Sequence, residues 1–227
     1  MRNLWCALVR FGFRLLYYEL AWSYDLVAWL VSMGQWRDWG RAALPYVVGR
    51  RVLEIGHGPG HLLLALHEAG YTAVGLDLSP QMGRLARKRT GGAVPLVRGR
   101  VEELPLATAV FHTVLATFPT EYVVDPTTLA EVKRVLGENG RFLIIPAAQL
   151  TGQGLPQRFI AWLYAITGQQ ANQPAEPSPD NHAVWQPYLD RFAAAGFRVD
   201  IQTIVLPKSR VTLLIADVVE EDAATRR

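Results

Sequence analysis

Along the chain, runs of β-branched and aliphatic residues alternate with segments whose apolar positions recur every three or four residues. The first pattern is that of buried strands, the second that of amphipathic helices. It predicts strands at Arg51–Ile55, Thr72–Asp77, Val94–Arg98, Val110–Thr117 and Arg141–Pro146, and helices over His61–Ala69, Pro80–Arg89 and Thr127–Leu136. Such alternation builds a parallel sheet covered on both faces through right-handed crossovers. A further helix, Val184–Ala195, precedes two more strands, Phe197–Val205 and Arg210–Ala216. The short link containing Pro207 lets those two pair as an antiparallel hairpin at the sheet edge. The expected fold is α/β: a doubly wound, mostly parallel seven-stranded sheet with an antiparallel C-terminal hairpin strand.

Two flanking patterns differ from this core. Residues 1–45 read as a helical N-terminal cap, with Leu4, Leu8, Phe11, Leu15 and Tyr18 stepping by four and three and Pro45 ending the segment. It carries Trp5, Trp22, Trp29, Trp36 and Trp39, five of the seven tryptophans. Within the main domain, residues 46–218, the alternation breaks over 147–187. A helical stretch, Pro156–Thr167, is followed there by a segment rich in Pro, Gln and Asn, which reads as a lid-like insertion. Residues 219–227 form a polar tail.

Composition narrows the class. With 227 residues, half of them hydrophobic and 19% charged, the chain can bury a sizeable core. Cys6 is the single cysteine, so neither a disulfide framework nor a multi-cysteine zinc site is available, and a cytoplasmic setting is expected. Lys plus Arg exceeds Asp plus Glu by 23 − 20 = 3, too small an excess to indicate a nucleic-acid partner. One stretch is locally basic: Arg84, Arg87, Lys88, Arg89, Arg98 and Arg100, with no acid between Leu78 and Val101. It reads first as a solvated helix surface and second as an anion-binding face.

The longest uncharged run near the N-terminus, Leu26 to Trp36, has eleven residues. A bilayer span needs roughly 20, so this run does not supply one. Trp5, Arg10, Arg14 and Tyr18 nevertheless have the make-up of an interfacial helix, and a minority reading puts the N-terminal helix at the inner membrane face.

The chemistry gathers in Val52-Leu53-Glu54-Ile55-Gly56-His57-Gly58-Pro59-Gly60-His61, a buried strand running through a glycine-rich turn into a helix. Ligands collect at the carboxyl ends of such strands. A dinucleotide fingerprint would need glycine at 61, where His61 stands, and the Gly-Lys-Ser/Thr ending of a phosphate loop is missing. The next strand ends in Val74-Gly75-Leu76-Asp77-Leu78-Ser79-Pro80, which sets Asp77 at its tip, 17 residues after Gly60. A carboxylate there can accept both ribose hydroxyls of a nucleoside; the plainer roles are helix caps for Asp77 or Ser79.

Together these motifs resemble the class I S-adenosylmethionine-dependent methyltransferases over residues 50–216, and imply their Rossmann-like fold. Acid-x-Gly-x-Gly-x-Gly from Glu54 is similar to motif I of that family. Gly99-Arg100-Val101-Glu102-Glu103-Leu104-Pro105 sits where the family has Gly-Asp-Ala-x-x-Leu-Pro, with Arg100 replacing the acid that meets the adenine amino group. Tyr24-Asp25-Leu26 through Met33-Gly34 to Trp36-Arg37-Asp38-Trp39 resembles the entry segment of the ubiquinone/menaquinone C-methyltransferases, which folds over the cofactor. The resemblance implies S-adenosyl-L-methionine as cofactor and S-adenosyl-L-homocysteine as product. Its binding residues would be Glu54, Gly56, His57, Gly58, Gly60, Asp77, Leu78, Val101 and Thr117.

Methyl transfer from a sulfonium needs alignment and exclusion of water but no metal. A general base helps a phenolic or hydroxylic acceptor. Tyr24, Tyr122 and His182 are the main candidates, beside Tyr17, Tyr18 and Glu121. His57 and His61 are expected to shape the glycine loop and cap its helix, and His67 and His112 to lie at surface or packing positions. Thr117-Phe118-Pro119-Thr120 lacks the Asp/Asn-Pro-Pro-Tyr/Phe of many nitrogen methyltransferases, and Cys6 lies far from every motif, which disfavours cytosine C5 chemistry. The expected function is methylation of a small, hydrophobic acceptor such as a quinol, a phenol or a lipid-like molecule. A methyltransferase-like binding protein and a nicotinamide-dependent oxidoreductase are the alternatives. The sequence is silent on oligomeric state.

Overall fold

The computed structural model describes residues 24–151 and 182–219. Two helices, α1 (Tyr24–Ser32) and α2 (Trp36–Arg41), lead through a 3-10 turn at Leu44–Tyr46 into the sheet. There β1 (Arg51–Ile55), α3 (His61–Glu68), β2 (Thr72–Asp77), α4 (Pro80–Arg89) and β3 (Leu96–Arg98) make two successive β-α-β crossovers. The chain continues through β4 (Phe111–Thr117), α5 (Pro126–Val135), β5 (Leu136–Leu150), α6 (His182–Ala194), β6 (Phe197–Leu206) and β7 (Ser209–Val218). The seven strands form one sheet in the order β3-β2-β1-β4-β5-β7-β6. All pairs from β3 to β5 are parallel, and β7 runs antiparallel to both β5 and β6.

The reversal of strand order at β1 sets helices on opposite faces. Leu53 and Ile55 point to one side and join Leu129, Phe142 and Phe192, while Val52 points to the other and joins Leu63, Leu66 and Trp39. On the first side, Phe142, Phe192 and Phe197 form a ring cluster with centroids 6.1–6.5 Å apart. A strand buried on both faces requires the near-continuous apolar run that β1 carries, and this makes Glu54, 1% exposed in its midst, an exception with a chemical meaning.

Local sequence rules set the helix starts at the strand tips. Ser79 caps α4, its Oγ accepting the Met82 N–H at 3.3 Å, and Pro80 occupies the first turn. Asp125 caps α5 in the same way, accepting the Thr127 N–H at 2.9 Å ahead of Pro126. On the cap side, Trp39 Nε1 donates to Ser209 Oγ at 2.9 Å, and that hydroxyl donates to Gln35 Oε1 at 2.9 Å. These bonds join the helical entry segment to β7, 170 residues away in sequence.

Three expectations need correction. β5 continues past Pro146 to Leu150, because a register shift between Ile144 and Ala147 lets β7 go on pairing beyond the proline. Residues 147–150 are therefore sheet rather than insertion. β3 is shorter than anticipated, starting at Leu96: the Pro95 carbonyl accepts the Gly75 N–H, but proline has no N–H to carry the ladder further back. The N-terminal helix over Leu4–Tyr18, Tyr17, Tyr18, the helix over Pro156–Thr167 and the tail from 220 onward lie outside the described residues. No helix among the described residues is long and apolar enough to cross a membrane.

Candidate active site at the strand tips

Apart from Val101, which follows β3, the expected cofactor residues converge at the carboxyl ends of β2, β1 and β4, neighbours in the sheet. Beyond Ile55 the chain turns through the glycine loop and enters α3. Gly60 is the N-cap of α3 with φ 80°, a left-handed conformation that suits glycine, and no side chain caps the helix. A Cβ at Gly60 would meet the Ala86 Cβ at 2.7 Å, so α4 packs directly on this backbone. At Gly58, by contrast, a Cβ would meet nothing within 4 Å, and the loop faces open space there.

Asp77 ties the loop to the neighbouring strand. Its Oδ2 accepts the Gly58 N–H at 2.9 Å and its Oδ1 accepts the Ser79 N–H at 2.8 Å. A carboxylate offers about four lone-pair sites, so two remain for a ligand. Leu78 follows with its side chain 48% exposed, an apolar surface at the edge of the cleft. His57 is buried, and its Nδ1 lies 2.7 Å from the Gly58 carbonyl oxygen, which assigns the proton to Nδ1. Burial holds its pKa below the ordinary 6.5, against the opposing pull of the Asp77 charge.

Glu54 is the buried acid beneath this loop. Its Oε2 has no hydrogen-bond partner. Burial, reinforced by the charge of Asp77, pushes its carboxyl well above the ordinary 4.5, although the Leu63 backbone N–H pulls the other way. A cation placed beside this carboxyl would favour its ionised form and satisfy the free oxygen.

Further around the rim, Thr117 ends β4 half-buried, and Phe118 follows with φ 49°. A positive φ in an aromatic residue is strained and held by its surroundings. Here Phe118 stacks on Trp36 at 4.5 Å and tilts against Trp39 at 5.9 Å. Tyr122, from the 3-10 turn Glu121–Val124, brings its hydroxyl so close to Gly56 that a Cβ there would lie 2.8 Å from it. Of the candidate bases, Tyr122 is thus set against the glycine loop; the side chains of Tyr24 and His182 lie outside the description.

Several expectations shift in detail. His61 does not cap α3: its Nε2 instead pairs with Asp25 Oδ1 at 2.8 Å, drawing α1 onto the loop. Arg89 reaches both Asp25 and the Pro59 carbonyl, completing a clasp that sequence reading missed because its members are 36 and 64 residues apart. The Val101 side chain, 8% exposed, turns into the core with Leu104, which leaves little of it for a ring contact. Arg100 pairs with Glu102 Oε1 at 2.9 Å on the exposed surface. His67 is exposed, and His112 accepts the Arg51 N–H at 3.1 Å, so both are surface or packing residues as expected.

Comparison with known proteins shows the family and the fold. Residues 53–144 match the family described as a methyltransferase domain. The chain is 30% identical over 185 residues to a demethylmenaquinone methyltransferase of Thermobifida fusca, covering 78% of this chain and 76% of that protein. It is 35% identical to the enzyme of the same name from Deinococcus radiodurans, over 59% of this chain and 61% of that protein's length. A crystal structure of an S-adenosylmethionine-dependent methyltransferase from Thermotoga maritima superposes with a TM-score of 0.60 at 20% identity, covering 87% of this chain and 95% of that one, and shares the fold. A chain with this sheet, this loop and these relatives belongs to the class I S-adenosylmethionine-dependent methyltransferases, in the ubiquinone/menaquinone branch.

Proposed function

We propose that the protein transfers a methyl group from S-adenosyl-L-methionine to a small apolar acceptor of the quinol or phenol class. The observation that carries this reading is the union of two surfaces at the strand tips: the Glu54–Asp77 acid pair under an open glycine loop, and an apolar rim of Leu78, Trp36 and Phe118 beside it. The names of the relatives, demethylmenaquinone methyltransferases, support an acceptor of the quinone family.

The residues fit the cofactor. Asp77 would hold the ribose hydroxyls with its two spare lone pairs, and Gly58 would let the cofactor approach the main chain. Leu78 would cover one face of the adenine. Glu54, with one carboxyl oxygen lacking a partner, would give up its proton as the cofactor's ammonium arrives beside it and would then accept from that ammonium. When bound, the cofactor brings an activated methyl on a sulfonium, so the protein's task is alignment and exclusion of water, which can supply about 7–11 kcal/mol.

The aromatic pair Trp36 and Phe118 would shield the acceptor and orient its ring. Tyr122, having first released its own proton to solvent, would receive the acceptor's hydroxyl proton as methyl transfer proceeds. It would then act as general base, a role worth roughly 10²–10⁴-fold. The test is turnover to S-adenosyl-L-homocysteine with a panel of demethylated naphthoquinols, benzoquinols and simple phenols. Tyr122→Phe should lose about 10²-fold or more in kcat with cofactor affinity retained. Turnover restricted to amine or carboxylate acceptors would contradict the reading.

A further inference from the structure

The chain leaves β3 at Arg98, which stands opposite Asp77 in the sheet, and returns as β4 at Phe111. Between them, residues 99–110 hold no regular element other than the 3-10 turn Val101–Glu103. Such a stretch must bond its main chain to its neighbours. The neighbour here is α5, whose Leu129 and Val132 are buried in the core and fix its rotation. Glu131 and Arg134, three apart on that helix, meet the loop.

Glu131 Oε2 accepts the Leu104 N–H at 2.8 Å. Arg134 Nη2 donates to the Leu104 carbonyl and Nη1 to the Leu106 carbonyl, both at 2.9 Å, and Nη1 also reaches Thr108 Oγ1 at 3.4 Å. Nε and the second Nη2 hydrogen go to the Glu131 carboxylate, each at 2.7 Å. All five guanidinium donors are thereby used, which a lysine in the same place could not reproduce.

The stapled residues reach the cofactor cleft at second hand. Pro105, between the two held carbonyls, lies so close to Gly99 that a Cβ there would be 3.3 Å from its Cδ. The Gly99 N–H in turn donates to the Asp77 carbonyl at 3.3 Å. Neither Glu131 nor Arg134 lines the cleft beside Asp77, whose wall includes His57, Leu96, Val97 and Arg98. Arg100, standing where an acid would meet the adenine amino group, pairs instead with Glu102 on the surface. Base recognition then falls to the main chain of residues 99–101, and main-chain donors and acceptors are only as well aimed as the loop is held.

We infer that Glu131 and Arg134 are positioning residues for the adenine of the cofactor: by holding residues 104–106 they set, through Pro105 and Gly99, the main chain that reads the base beside Asp77. The inference rests on the strand tips being the cofactor site.

The experiment titrates S-adenosylhomocysteine and S-inosylhomocysteine into the full-length chain by calorimetry. Hypoxanthine donates at N1 and accepts at position 6, the reverse of adenine, so the ratio of the two affinities reports the aim of the loop. Arg134→Lys keeps the charge and loses the fork, and Glu131→Gln keeps an acceptor for the Leu104 N–H. Arg141→Lys is the control, since Arg141 makes a similar fork to Asp217 and the Tyr46 carbonyl near the start of β5. Circular dichroism verifies each fold. Arg134→Lys is expected to bind S-adenosylhomocysteine about tenfold more weakly and to lose about fivefold of the preference for adenine. Glu131→Gln shifts both in the same direction by a smaller factor, and Arg141→Lys lowers the melting temperature and shifts neither. Folded Arg134→Lys with the wild-type preference for adenine, or Arg141→Lys that loses as much of it, would overturn the inference. Should Arg134→Lys not fold, an unchanged preference in Glu131→Gln would overturn it equally. Asp77→Ala tests the cofactor site separately: tight binding there would overturn that assignment and this inference with it.

Discussion

Asp25 and His61 meet at 2.8 Å, carboxylate oxygen to imidazole Nε2, across 36 residues of sequence. Burial pushes the His61 pKa down, with Arg89 and Arg37 adding to that effect against the pull of Asp25, so the ring is below its ordinary 6.5 and donates as a neutral imidazole. Burial raises the Asp25 pKa, but the His61 hydrogen bond and the Arg89 charge outweigh it and hold the acid below its ordinary 3.8. Because Arg89 also holds the Pro59 carbonyl, α1 is fastened to the glycine loop itself.

The clasp is half-exposed, so its loss should act locally. Asp25→Ala is expected to raise amide hydrogen exchange in α1 by about tenfold while the global melting temperature moves by no more than a few degrees. Unchanged exchange in residues 24–33 would mean that α1 is held by other contacts.

Gly58 and Gly60 separate the roles of one loop. Alanine at Gly60 meets Ala86 at 2.7 Å and must adopt φ 80°, so Gly60→Ala should cost about 2–4 kcal/mol of stability. Alanine at Gly58 meets no atom within 4 Å and bears only the strain of φ 51°, about 1 kcal/mol. Its methyl, however, would stand in the open space that cofactor binding requires. Denaturant melts and cofactor titrations of the two variants should give opposite rankings.

Glu54 should make stability fall as pH rises. An acid whose folded pKa lies above its unfolded value binds its proton more tightly in the folded state. Stability is then full below about pH 4.5, declines as pH climbs toward the folded value, and is level beyond it. Glu54→Gln, which copies the protonated shape, should gain stability over wild type at a rate of up to about 1.4 kcal/mol per pH unit in that window. Melting curves of both proteins from pH 4 to 8 provide the check, and a difference independent of pH would contradict the burial argument.

Ser209 carries the joint between cap and sheet. Its hydroxyl accepts the buried Trp39 N–H and donates to Gln35. Ser209→Ala leaves the indole donor without a partner in an interior where both residues are under 5% exposed, and should cost about 1–3 kcal/mol. Chemical denaturation measures this directly, and a loss below a few tenths of a kcal/mol would show that another acceptor takes over.

Much of the fold was legible because its signals are local. β1, β2 and α4 match their anticipated bounds, since alternation, Ser79 and Pro80 specify them within a few residues. The extension of β5 beyond Pro146 was not legible, because it depends on pairing with β7, some 65 residues on. At the site, the glycines and Asp77 could be found from spacing alone. The Asp25–His61–Arg89 clasp, the positive φ of Phe118 and the turning of Val101 into the core come from tertiary packing, and no periodicity announces them. The closeness of Tyr122 to Gly56 has the same origin: a turn after β4 meets a turn after β1 only because those strands are neighbours.

The most direct test of the account is calorimetric titration of S-adenosyl-L-methionine and S-adenosyl-L-homocysteine into wild type and Asp77→Ala, with circular dichroism to verify the fold. Asp77 is expected to accept from two ribose hydroxyls and to steady the Gly58 amide, so its loss should weaken binding about 100-fold or more. Folded Asp77→Ala that binds the cofactor as tightly as wild type, or folded wild type that does not bind it, would contradict the assignment of the strand tips as the cofactor site.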